Sequence, residues 1–166
     1  PSWSNNNWRQ FLTGFVPDRQ HVGFLDLHTG LGPYGYGEPI FLSWPDMAQY
    51  ERARQWYGED VTAPEAGDST SAAVQGVVAS AFHDLGAKCE TTAIALEYGT
   101  IPVEDVLEAV RADNWLYVHG NLNSIIGREI KQQIRDAFYC DADDWKNLVW
   151  DRAVDILQKG FVGLEG

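Results

Sequence analysis

The stretch Gly23-Phe-Leu-Asp-Leu-His-Thr-Gly-Leu-Gly-Pro-Tyr-Gly-Tyr-Gly37 constrains this chain most. An apolar run ends in Asp26-Leu27-His28-Thr29 and is followed by glycines at 30, 32, 35 and 37 and by Pro33. The pattern predicts a strand over 21–27 and a loop over 28–43. A strand built this way delivers a polar side chain to the rim of a sheet and leaves room around it. In open α/β sheets, ligands collect beyond the carboxyl ends of strands. His28 therefore stands where chemistry is usually done.

The rest of the chain sets the frame for that histidine. Its 166 residues, of which 45% are apolar, suffice for a single domain over 1–166 with its own core. A net charge of -12 argues against nucleic acid as a partner, because phosphate backbones require clustered Lys and Arg. No apolar run approaches the roughly 20 residues that span a bilayer, and no cationic leader precedes an apolar segment. No membrane partner and a cytoplasmic location are expected. Cys89 and Cys140 are too far apart for a zinc ribbon or a redox pair, and reduced thiols are expected. The chain opens at Pro1 without a methionine, so we expect a segment upstream.

Helical spacing predicts helices over 5–15, 45–57, 70–85, 123–139 and 142–159, with another opened by Pro102. Pro45 is expected in the first turn of its helix, and Asp141 is expected to cap the last one. Residues 58–70 read as irregular, with a short strand near Val61. Thr91, Thr92, Ile94 and Leu96 mark a second strand over 89–98. Strands alternating with helices predict an α/β layered fold. Two strands alone have bare edges and too little area to bury the helices, so the sheet is expected to be incomplete.

His28 is a candidate metal ligand; a structural histidine is the commoner use of such a residue. Asp26 precedes it by two positions, so both side chains leave one face of the strand. Asp26 is then placed to orient the imidazole, or simply to accept from loop amides. Glu97 ends the run Thr92-Ala93-Ile94-Ala95-Leu96. A carboxylate at the tip of a buried strand is costly unless paired, hydrated or protonated, which suits a general base. It equally suits a strand-end Glu satisfied by the amides of the next helix. Tyr34 and Tyr36, just beyond His28, are candidates for lining a substrate pocket or for pinning the loop. Gly30-Leu31-Gly32-Pro33-Tyr34-Gly35 matches G-x-G-x-x-G, but Gly35, Gly37 and Pro39 forbid the helix that would hold a pyrophosphate. His21, His83 and His119 lack partner spacing.

The blocks Asp26-Leu27-His28-Thr29-Gly30-Leu31-Gly32-Pro33-Tyr34-Gly35 and Leu96-Glu97-Tyr98-Gly99-Thr100 resemble a family of carboxypeptidase A-like zinc hydrolases related to succinylglutamate desuccinylase and aspartoacylase. Similarity also runs through Pro1–Asn5, Arg111–Leu116 and Ile134–Tyr139. The resemblance implies a three-layer α/β/α fold with a mixed, mostly parallel sheet flanked by helices. It implies zinc held by an upstream H-x-x-E pair and a later histidine, which His28 matches. Glu97 matches the base that activates the metal-bound water, and the implied substrate is a peptide or an N-acyl amino acid. No H-x-x-E occurs here: Phe24, Leu31, Gly86 and Leu122 follow the four histidines at that spacing. The chain thus matches the carboxyl-terminal half of the domain, incomplete on its N-terminal side. Alone it is expected to be inactive and to self-associate or join the missing N-terminal half. A non-catalytic ligand- or partner-binding module is the alternative.

Overall fold

The structure, a computed structural model, describes residues 2–16, 19–43, 46–85 and 89–166, with the side chains of 83–85 outside the description. Its elements are α1 (Trp3–Phe15), β1 (His21–Tyr34), β2 (Gly37–Phe41), α2 (Met47–Tyr57), β3 (Glu90–Gly99), α3 (Val103–His119), α4 (Ile125–Phe138) and α5 (Asp143–Glu165). Short 3₁₀ turns cover Pro64–Ala66 and Val78–Leu85. The three strands form one sheet in the order β1-β3-β2. Glu90 N–H donates to Gln20 O at one end of β1 and β3, and Gly35 N–H to Gly99 O at the other, so these strands run parallel. Leu42 N–H bonds Ala93 O while Gly99 N–H bonds Tyr36 O, so β2 runs against β3. This is a mixed α/β architecture with helices flanking the sheet.

The loop expected over 28–43 is overturned. β1 continues to Tyr34 because Gly30 (φ 136°) and Gly32 (φ 98°) absorb backbone angles closed to other residues without ending the strand. Only Gly35 and Tyr36 turn, and β2 follows as a third strand. Pro39 is tolerated because β2 is an edge strand. The short strand expected near Val61 is a parallel bridge between Ile40 and Thr62. The helix expected over 70–85 is restricted to its last turns. Before it, Ser71 N–H bonds Ser69 Oγ and Glu38 accepts from the Thr70 amide and hydroxyl, side-chain bonds that compete with a helix.

Pro45 lies outside the described residues; Asp46 caps α2 by accepting from Gln49 N–H at 3.1 Å. Asp141 does not cap α5. Its carboxylate pairs with Arg135 and Lys146, which hold it below the usual carboxylate range, the hydrogen bond from Lys146 first. No helix among the described residues is long and apolar enough to cross a membrane.

The chain divides into two compact units. The first comprises residues 1–26, 38–96 and 155–166. Here Val22 and Phe24 of β1 pack against Leu12, Val16, Ala81 and Phe82. The alternate residues Gly23 and Leu25 instead line a cavity with Tyr57 of α2 and Ile156 and Gly160 of α5. Arg52 of α2 donates to Thr92 Oγ1 (2.8 Å) and Thr91 O (2.7 Å), tying that helix to β3. The second unit comprises residues 27–37 and 97–154. Its α3 packs on α4, and Val106, Ala109 and Leu116 form the buried stripe of α3.

Candidate functional site

The second unit contains both His28 and Glu97. Glu97 is only 9% exposed, and its Oε1 accepts from Leu31 N–H at 3.0 Å. This amide comes from the glycine-rich end of β1, three residues beyond His28. A carboxylate bonded to an amide is held in place, and the bond repays part of the cost of its burial. His28 itself is exposed. It lies on β1, an edge strand, beside the central β3 that carries Glu97.

The pleat orients the two groups. Tyr98 donates its hydroxyl to Val149 O of α5 at 3.0 Å, so Glu97, its neighbour, leaves β3 on the face turned away from that helix. On β1, alternation puts Asp26 and His28 in phase with Val22 and Phe24 and out of phase with Leu25, which lines the cavity beside α5. Asp26, half-buried, closes the first unit's segment of β1 two residues before His28.

Two threonines, one within β1 and one just after β3, anchor the strands, and nothing in the local pattern announced them. Thr29 Oγ1 donates to Phe138 O at 2.6 Å, and Thr100 Oγ1 to Ala137 O at 2.6 Å. These carbonyls end α4, where a helix has no partners of its own. The residue after His28 and the residue after β3 are thus both fastened to one helix terminus. At Gly99 the backbones meet so closely that a Cβ would lie 2.1 Å from the carbonyl oxygens of Gly32 and Pro33. Trp145 closes the arrangement by donating Nε1–H to Gly99 O at 2.9 Å.

Tyr34 donates its hydroxyl to Asp144 Oδ1 at 3.2 Å, which matches a residue pinning the turn to α5. Desolvation, and then the Asp144 carboxylate, push this phenol up from its ordinary range. Tyr36 exposes 44% of its surface, while its carbonyl accepts from Gly99 N–H. Gly35 leads into β2 and not into a helix, so the G-x-G-x-x-G sequence forms no helix N-terminus for a pyrophosphate. Of the remaining histidines, His21 Nδ1 faces Glu90 at 3.4 Å, His119 ends α3, and the side chain of His83 lies outside the described residues. Cys89 and Cys140 are free; burial first, and then neighbouring carboxylates, push both thiols up.

A catalytic zinc takes three protein donors. Among the described residues no group of three His, Cys, Asp or Glu side chains comes together in a way that could hold a metal ion. The His28 imidazole is of the donor type such a site uses.

Fold and site define an α/β protein whose parallel strands bring an accessible imidazole and a buried, amide-bound carboxylate into one compact unit. The chain belongs to the family described as Protein of unknown function (DUF2817), whose model matches residues 1–152. No curated protein and no solved structure matches it.

Proposed function

We propose that the chain supplies His28 as a metal ligand and Glu97 as the proton-transferring base of a zinc-dependent hydrolase acting on peptide or N-acyl amide bonds. The observation that carries this reading is the buried Glu97 carboxylate held by Leu31 N–H, on the strand that runs parallel to the one bearing His28. A zinc ion, when bound, polarises the scissile carbonyl and acidifies the attacking water. Glu97 takes the proton of that water and returns it to the leaving nitrogen, while the Leu31 amide fixes its Oε1. The missing donors belong, on this reading, to residues outside these 166, so the chain alone is inactive. A cytoplasmic setting suits the two free thiols.

Calorimetric titration of this chain with zinc is expected to give weak binding, which His28→Ala abolishes. Tight stoichiometric binding by the chain alone would contradict the divided ligand set. A longer form that includes upstream residues is expected to hydrolyse N-acyl amino acids or short peptides, and to lose that turnover with a chelator or with Glu97→Gln. The second reading is a ligand- or partner-binding module without chemistry. Chelator-insensitive or absent turnover in the longer form would establish it in place of the hydrolase.

A further inference from the structure

Helix α3 carries two apolar stripes, and the packing of the second unit uses only one. Val106, Ala109 and Leu116 are buried. A second stripe holds Val103 (53% exposed), Leu107 (57%), Val110 (43%), Asn114 and Tyr117 (84%). Its steps of four, three, four and three residues are those of a coiled-coil seam, in which Leu107 and Asn114 take the a positions and Val103, Val110 and Tyr117 the d positions. An isolated apolar side chain on a surface is ordinary, but a seam of this period over a whole helix matches another helix.

The charges beside the seam identify that helix. In an antiparallel pair, a positions face d positions. Stacking Leu107 of each copy on Val110 of the other sets the register and leaves Val103 opposite Asn114. The e positions then face each other, and Glu104 of each copy meets Arg111 of the other. Both residues are exposed, and no ion pair of either is present among the described residues. Within one helix they are seven positions, or about 10 Å, apart, too far to pair directly. A two-fold axis thus produces two reciprocal ion pairs from a single chain's sequence, as an isologous interface requires.

The same register accounts for the polar residue in the seam. It sets Asn114 against the first turn of the other copy's α3. That helix begins after Pro102 with no side-chain cap, unlike α1, α2 and α4, which Ser2, Asp46 and Ser124 cap. The Asn114 carboxamide oxygen is suited to accept from an uncapped amide there. A parallel pair would bring neither Glu104 to Arg111 nor Asn114 to the helix start.

We infer that this face docks a second copy of the chain, through an antiparallel α3–α3 seam closed by reciprocal Glu104–Arg111 pairs. The inference is independent of the hydrolase reading.

Sedimentation equilibrium over a concentration series up to about 0.5 mM tests it, since a seam this short gives a weak dimer. The wild-type chain is expected to dimerise. Leu107→Glu is expected to leave a monomer with an unchanged helical circular dichroism spectrum, because Leu107 is outside the core. Glu104→Arg and Arg111→Glu are each expected to weaken the dimer about tenfold by placing like charges together twice. The double reversal restores the wild-type dissociation constant, and an equimolar mixture of the two single variants forms a heterodimer. A wild-type chain that stays monomeric throughout would overturn the assignment and leave the seam to a different helix. A dimer indifferent to Leu107→Glu, or single reversals that the double reversal fails to rescue, would overturn it too.

Discussion

Strands β1 and β3 run side by side in the same direction, yet they hold their candidate groups in opposite ways. β3 is central and buried from Thr91 to Gly99, so Glu97 sits in a fixed environment that must satisfy it internally. β1 is an edge strand and mostly exposed or half-buried, so His28 stays accessible. A base that moves protons gains from the first setting, through fixed position and restricted water. On the proposed reading, a metal ligand that stays accessible gains from the second. What β1 lacks in burial it recovers in part from the bond between Thr29 and the end of α4.

The sharpest break in this contrast comes from Gly99, where the two strands touch. A Cβ there would collide with the Gly32 and Pro33 carbonyls. Gly99→Ala is expected to cost more than about 3 kcal/mol or to prevent folding, as read by urea denaturation. A Gly99→Ala chain with wild-type stability would mean that the strands do not approach as described. Next come the strand interiors: Leu96 is fully buried and Leu27 is 57% exposed. Leu96→Ala should lose about 2–5 kcal/mol and Leu27→Ala less than about 0.5 kcal/mol in the same measurement. Equal losses would erase the difference between core and edge.

The site residues follow. Glu97→Ala leaves the Leu31 amide without its partner and should cost about 1–3 kcal/mol, whereas His28→Ala should change stability by less than about 0.5 kcal/mol. Thermal denaturation of both variants checks this, and a larger loss for His28→Ala would reverse the assignment of fixed and accessible groups. The smallest effect is alkaline. Burial pushes the Tyr98 phenol up to about 12, against the opposing pull of Arg152. Its neutral form is favoured in the folded chain, so its contribution is complete below pH 10 and is lost as pH rises toward 12. Tyr98→Phe is expected to flatten the melting temperature over that window, and Tyr34→Phe, on the exposed strand, to change the slope less. The reverse order would show that Tyr34 is the better sequestered phenol.

Much of this arrangement was legible in local pattern. The run from Thr91 to Leu96 announced β3, Pro102 announced the start of α3, and the isoleucine spacing announced α4. That His28 and Glu97 lie on neighbouring parallel strands was legible as well, but His28 was expected at the end of its strand and β1 runs on past it to Tyr34. The 28–43 segment was not, because glycine density signals a loop whenever the strand beside it is unknown. Asp141 was misread as a cap because its pairing with Arg135 and Lys146 depends on how α4 and α5 meet.

The sequence by itself determined most of the helices, the apolar central strand, the net charge, and the chemical identity of His28 and Glu97. These follow from side-chain period, capping and ionisation, which act over a few residues at a time. Only the tertiary structure decided that β1 runs on through its glycines, that Leu31 N–H reaches Glu97, and that Thr29 and Thr100 fasten to the end of α4. Each of these joins positions far apart in the chain, where hydrogen-bond geometry and close backbone approach are set by how the elements pack.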